Sequence, residues 1–203
     1  MSPLPSFFKS LIYYELKKFN DSYGQINKKS NDELFKEMCF CLLTANYNAE
    51  KSIKIQNEIG ECFFKDSKDD LSNKLKNFGH RFPNTRAEYI CESLKYKDNL
   101  KEILKFHDKK ALREWFVDNI KGLGYKEASH FLRNIGFDDY AIIDFHIIDI
   151  LAEYNIINKP KTLTKKNYLD IEFILKKIAK ETELTLAELD LYLWYMETGK
   201  ILK

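Results

Sequence analysis

Ile120-Lys121-Gly122-Leu123-Gly124-Tyr125-Lys126 is the stretch whose reading decides the fold. Two glycines two apart predict a tight backbone hairpin, because glycine alone adopts positive φ without cost. Upstream, Leu112, Trp115, Phe116 and Ile120 recur on one stripe and predict a helix over about 108–120. Downstream, the pattern predicts a second helix from Lys126 to Ile135. Helix, hairpin and helix together occupy 113–136.

The same periodicity extends along nearly the whole chain. Phe7, Phe8, Leu11, Ile12, Leu16 and Phe19 predict a helix over about 6–19. Ser30-Asn31-Asp32-Glu33 has the form of a capping box opening a helix through Leu34, Phe35, Met38, Cys41 and Leu42. Further helices are predicted after Asn48 to about Ile59, over Asp69–Phe78 with Gly79 as its C-terminal cap, and over about 84–96 and 98–106. Pro83 disfavours helix at Phe82 and so holds open the loop His80-Arg81-Phe82-Pro83-Asn84. After Asp138–Asp144, read as a connection, come helices over about 145–154, 165–180 and 185–197, the last with a capping box at Thr185 and Glu188. No strand pattern survives, so the expected class is all-α.

Composition limits function less than it limits fold. The 203 residues suit one large domain over 1–203 or two small lobes sharing an interface. Hydrophobic residues make up 44 %, ample for a core, and only 7 glycines and 4 prolines interrupt the helices. With 33 basic and 31 acidic residues the net charge is +2, so a nucleic-acid face must come from local segregation of charge. Cys39, Cys41, Cys62 and Cys91 form no C-x-x-C pair, which argues against zinc, an iron–sulfur cluster and a secreted disulfide framework. Cys39 and Cys41 read as core. No metal and no cofactor are expected. No apolar run is long enough for a membrane span, and Met1–Pro5 lacks a signal-peptide pattern, so a cytoplasmic protein is expected.

The hairpin brings chemistry with it. A helix N-terminus offers free N–H groups and a positive dipole end, which suits a phosphate. Gly122 and Gly124 would let the backbone approach it, and Lys121 could add a charge-assisted contact. Such contacts carry no sequence information. A plain corner between two helices explains the glycines equally well. Lys126 raises the stakes, since an amine in the first turn of that helix could attack the sugar C1′ of a flipped nucleotide. A free lysine is almost wholly protonated at pH 7; desolvation and a helix N-terminus both favour the neutral, nucleophilic form. Asp144 follows three apolar residues and precedes a helix, so it reads as an N-cap. Facing a pocket, it could also stabilise positive charge on the sugar or move protons. His146 would sit nearby in a structural or DNA-backbone role.

These residues resemble the helix–hairpin–helix superfamily of DNA glycosylases. Within it the chain is similar to the archaeal-type, second family of 8-oxoguanine DNA glycosylases. Cys39–Asn46, Gly79–Phe82, Gly122–Asn134, Glu188–Tyr195 and Thr198–Lys203 carry the resemblance. It implies a two-lobed all-α fold with a DNA-binding cleft between the lobes, in a monomer associated with the nucleoid. It implies a bifunctional glycosylase and lyase acting on double-stranded DNA that contains 8-oxoguanine or abasic sites, with Lys126 as nucleophile and Asp144 as its partner. It gives Phe82 and Trp194 as the aromatic pair around the flipped base, where stacking contributes ~1–3 kcal/mol per face. Asp190, one turn before Trp194, would hydrogen-bond the base edge. Lys203 and its terminal carboxylate would read the N7–H that distinguishes 8-oxoguanine from guanine. Asn46 and Arg81 would fill the gap left by the flipped base or touch the opposite strand.

The superfamily often shows Gly/Val-Pro before the aspartate, where this chain has Ile142-Ile143. That fits the archaeal-type branch, and the missing four-cysteine cluster argues against the endonuclease III and adenine-glycosylase branches. Two other readings stay open on the residues alone: a non-catalytic helix–hairpin–helix DNA-binding module, which has no need of Lys126, and a helical glycosylase for alkylated or mismatched bases.

Overall fold

Side chains close the open ends of the helices at the positions the sequence marks for them. Ser30 Oγ accepts the Glu33 N–H at 3.2 Å while Glu33 Oε2 accepts the Ser30 N–H at 2.7 Å. Thr185 and Glu188 repeat the exchange at 3.1 and 2.8 Å. Each box satisfies two amide donors that a helix start otherwise leaves open.

The computed structural model describes residues 29–105 and 108–199. Eleven α-helices lie within them: α1 Asn31–Thr44, α2 Ala49–Ile59, α3 Cys62–Lys65, α4 Lys68–Asn77, α5 Pro83–Ser93, α6 Leu100–Ile103, α7 Lys109–Asn119, α8 Tyr125–Asn134, α9 Phe145–Glu153, α10 Lys165–Glu181 and α11 Leu186–Thr198. There is no strand among the described residues. The expected helix over 6–19 lies outside them. None of the described helices is long and apolar enough to cross a membrane.

Two expectations need correction. The helices read at 84–96 and 98–106 are instead α5, a 3-10 segment Leu94–Asn99 and the single turn α6. Asn99 leaves helical geometry at φ −107°, ψ 4°, and Lys97 is tied sideways to Asp32 at 2.6 Å and Asp98 at 2.9 Å. A further single turn, α3, occupies residues after Ile59 for which no helix is expected.

The chain separates into two compact units, 29–131 and 132–199 among the described residues. In the first, α1 is buried nearly all round: Leu34, Phe35 and Met38 to Leu43 are fully enclosed. A helix apolar on every side belongs at the centre of its unit. Cys39 and Cys41 are part of this core, and burial pushes the Cys39 thiol well above its ordinary range. Phe116 meets Phe131 edge to face with centroids 5.0 Å apart. In the second unit, Ile143, Ile147, Ile148 and Leu151 bring α9 and its lead-in segment into a core shared with Tyr168, Leu175 and Leu191.

Candidate active site

In the first unit the hairpin follows α7. Ile120 ends that helix in extended geometry, and its carbonyl accepts the Leu123 N–H at 3.1 Å. The two glycines are not equivalent. Gly122 has φ +91°, and a Cβ there would collide with the Tyr89 ring and come within 3.2 Å of Leu42 Cδ2. Gly124 has no positive φ; a Cβ there would meet only Glu127 Oε2, at 3.2 Å. The expectation of two permissive glycines is therefore corrected to one. Only Gly122 needs the left-handed region, and the close approach it permits is to an internal aromatic ring.

The hairpin's own carboxylates answer its positive features. Glu127 Oε2 accepts the Gly124 N–H at 3.3 Å, so that amide is already engaged. Lys121 Nζ lies 2.5 Å from Glu88 and 3.1 Å from Glu92, both on α5, and 5.3 Å from the centre of the Tyr89 ring. The hydrogen bond to Glu88, then that to Glu92, raises the Lys121 pKa. Lys126 stands in the first turn of α8 with its side chain about a quarter exposed, its Nζ 4.0 Å from Glu127 Oε1. Glu127 thus touches both the hairpin amide and the neighbourhood of the amine, and the sequence reading passed over it. The capping-box spacing from Gly124 was the available signal.

Phe82 is the N-cap of α5 at φ −130°, ψ 58°, with Pro83 as the first helical residue. Pro83 excludes Phe82 from the helix, as expected, but itself starts that helix, where the expected loop runs on through Asn84. Arg81 is exposed and its guanidinium lies 5.0 Å from the Phe82 ring centre. Arg86, almost fully buried, lies 5.8 Å from the Phe82 ring and 5.7 Å from the Tyr89 ring. Because Tyr89 underlies Gly122, Arg86 and Tyr89 form a packed link from the Phe82 loop to the hairpin. Arg86 Nη2 also donates to the Ala45 carbonyl at 2.7 Å, and burial lowers its pKa. That bond fixes the turn after α1, in which exposed Asn46 holds φ +56°. Asparagine tolerates this region better than any residue but glycine.

The second unit holds the remaining candidates. Asp144 caps α9, its Oδ1 accepting the Ile147 N–H at 3.1 Å. The extended lead-in Ala141-Ile142-Ile143 is pinned by two residues of α10. Tyr168 Oη donates to the Ala141 carbonyl at 2.6 Å and accepts the Ile143 N–H at 3.3 Å, while Glu172 Oε2 accepts the Ala141 N–H at 3.3 Å. Both were missed in the sequence, although a tyrosine and a glutamate one turn apart on a buried stripe call for polar partners. His146 is exposed and meets the Trp194 ring edge to face, centroids 5.9 Å apart. Asp190 Oδ2 lies 3.2 Å from Nη2 of Arg133, in an almost fully buried pair. Lys203 lies outside the described residues. The first unit thus gathers Asn46, Arg81, Phe82, Lys121, Gly122, Gly124 and Lys126, and the second gathers Asp144, His146, Asp190 and Trp194.

The family model described as 8-oxoguanine DNA glycosylase matches residues 16–184. The chain belongs to the 8-oxoguanine DNA glycosylase family. The 8-oxoguanine DNA glycosylase/AP lyase of Methanocaldococcus jannaschii is 55 % identical over 183 residues, covering 89 % of this chain and 88 % of that protein. The corresponding protein of Korarchaeum cryptofilum is 53 % identical over 178 residues, 87 % and 85 % of the two chains. A crystal structure of the Methanocaldococcus jannaschii glycosylase/lyase in complex with a 15mer DNA containing 8-oxoguanine superposes with a TM-score of 0.90 at 50 % identity, covering 96 % of this chain and 93 % of that one.

Proposed function

We propose that this chain is a base-excision repair enzyme that removes 8-oxoguanine from double-stranded DNA and then cuts the strand at the abasic site. One observation carries the reading beyond family membership: an amine, Lys126, in the first turn of the helix that follows the Gly122-Leu123-Gly124 hairpin. A DNA-binding module has no use for it there.

In this reaction the Lys126 Nζ lone pair attacks C1′ of the flipped nucleotide. The C1′–N9 bond breaks, its electrons leave with the base, and a proton goes to the base. Loss of the amine proton and opening of the sugar give a Schiff base. Removal of a C2′ proton then expels the 3′-phosphate by β-elimination, and water hydrolyses the Schiff base to free the lysine. Asp144 would balance positive charge on the sugar and accept or return protons. Phe82 and Trp194 would stack on the base, with Asp190 and Lys203 at its edge. Asn46 and Arg81 would meet the vacated duplex, and Lys121, Gly122, Gly124 and His146 the backbone. Such an enzyme works in the cytoplasm on nucleoid DNA.

Borohydride trapping on duplex containing 8-oxoguanine tests the reading. The wild-type protein should give a covalent adduct; Lys126→Gln should give none and still bind the duplex. No adduct with wild-type protein would overturn the lysine mechanism.

A further inference from the structure

His80 looks like a polar loop residue in the sequence, yet it is one of the most enclosed polar side chains in its unit, 4 % exposed. Its delivery is specified locally. α4 closes with Gly79 at φ +72°, the Gly79 N–H bonded to the Lys76 carbonyl at 2.8 Å and the His80 N–H to the Leu75 carbonyl at 3.0 Å. This six-to-one and five-to-two pairing is a Schellman closure, and it turns His80 inward.

Inside, both ring nitrogens are used. Nδ1 accepts the backbone N–H of Phe82 at 3.1 Å. A nitrogen that accepts carries no proton, so Nε2 carries it and donates to the Leu43 carbonyl at 3.0 Å. The Tyr47 ring covers the imidazole at 4.1 Å between centroids, and Tyr47 Oη donates to the Gly79 carbonyl at 3.0 Å. The facing charged group is Arg86, and burial, with Arg86 opposing a second positive charge, lowers the His80 pKa. The ring is thereby held in one neutral tautomer.

We infer that His80 is a positioning residue for base recognition: its unprotonated Nδ1 fixes the backbone of Phe82, and so the plane of the ring that stacks on the flipped base. The inference rests on the reading of Phe82 as a base-stacking ring. The other backbone hold on Phe82 is at its carbonyl, which accepts the Arg86 N–H at 3.0 Å as α5 begins, so the bond to Nδ1 acts on its N–H side. Two of its neighbours, Arg81 and Arg86, approach its ring by cation–π contact, which constrains the plane only loosely.

Two substitutions separate the two nitrogens. In His80→Asn the side-chain carbonyl can accept the Phe82 N–H as an Asx-turn but cannot reach Leu43. In His80→Gln the longer amide can donate to Leu43 but places no acceptor where Nδ1 stood. Amide hydrogen exchange at Phe82 should therefore stay protected in His80→Asn and quicken by about tenfold in His80→Gln. The ratio of 8-oxoguanine excision to cutting at a preformed abasic site should stay within about threefold of wild type in His80→Asn and fall by about tenfold in His80→Gln. Unchanged Phe82 exchange in His80→Gln, or equal losses of that ratio in both variants, would overturn the inference. Phe82→Ala serves as reference. If the exchange results hold and Phe82→Ala leaves the excision ratio unchanged, the stacking role of Phe82 fails, and not the link from His80.

Discussion

Gly122→Ala puts the asymmetry of the hairpin to a quantitative test. The new Cβ faces two independent penalties. Holding an L residue at φ +91° costs about 1–2 kcal/mol. Fitting a methyl group against the Tyr89 ring, with Leu42 Cδ2 only 3.2 Å away on a fully buried side chain, costs a further ~1–3 kcal/mol. Restricting the unfolded chain returns ~0.4–1 kcal/mol. The net loss is about 3 kcal/mol, which for a chain of this length lowers the melting temperature by about 9 °C. Gly124→Ala is the internal control. Its φ is acceptable to alanine, and the only atom in its way is the far end of the Glu127 side chain. Its effect should stay within about 1 kcal/mol of zero, the lost hydrogen bond from the residue-124 N–H to Glu127 Oε2 set against the entropic gain.

The assay is urea and thermal denaturation of both variants, with an unchanged m value securing the comparison. Tyr89→Ala combined with Gly122→Ala should show a coupling of about 1–2 kcal/mol, because removing the ring relieves the clash and leaves the φ penalty. Two results would refute the reasoning: Gly122→Ala within 1 kcal/mol of wild type, or Gly124→Ala costing as much as Gly122→Ala.

Other perturbations test separate parts of the two units. Glu88→Gln with Glu92→Gln should release Lys121 and tighten duplex binding a few-fold at low salt; the gain should shrink as salt rises and vanish when Lys121→Gln is added, as titrations at two ionic strengths would report. His80 has its folded-state pKa below its unfolded value of 6.5, so the unfolded chain binds the extra proton and stability falls as pH drops from about 6.5 toward the folded pKa. Urea midpoints between pH 7.5 and 5.5 should show that slope in wild type and a flatter one in His80→Asn. Arg133→Met should cost about 1–3 kcal/mol through the lost charge-assisted contact with Asp190, and adding Asp190→Asn should recover part of the loss in the same denaturation experiment.

The helices were legible because their signals are local. A capping box spans four residues, an apolar stripe about a dozen, and Pro83 acts on the residue beside it. The starts expected near 31, 145 and 185 accordingly agree with the observed helices to within a residue. The places of the candidate residues were legible in the same way, since Lys126 is set by the hairpin before it and Asp144 by the helix it caps. What sequence could not place was set by distance along the chain. The partner that makes Gly122 indispensable is Tyr89, on α5, and nothing in Gly-x-Gly says which glycine meets it. His80 finds its carbonyl acceptor 37 residues away, and Tyr168 reaches 27 residues back to hold Ala141. The failed helix at 98–106 belongs here too, for Lys97 is held by Asp32, 65 residues earlier.

The near-neutral composition also acquires a physical meaning. A phosphate arriving at this hairpin does not meet bare donors. It meets a lysine shared by Glu88 and Glu92 and an amide capped by Glu127. Under the proposed function, binding there would be an exchange of carboxylate for phosphate rather than an addition of charge to an empty socket. Each exchange would return less free energy than a free cation would, because the existing pairs to Glu88 and Glu92 must be given up and the displaced carboxylates stay close to the strand. A repair enzyme that must leave undamaged duplex quickly is served by that weakness, since backbone contacts are the same at every base pair and carry no information about damage. Discrimination then falls to the groups that meet the base itself. Under the proposed function those groups include Phe82, its N–H bonded to His80, and Asp190, paired with Arg133.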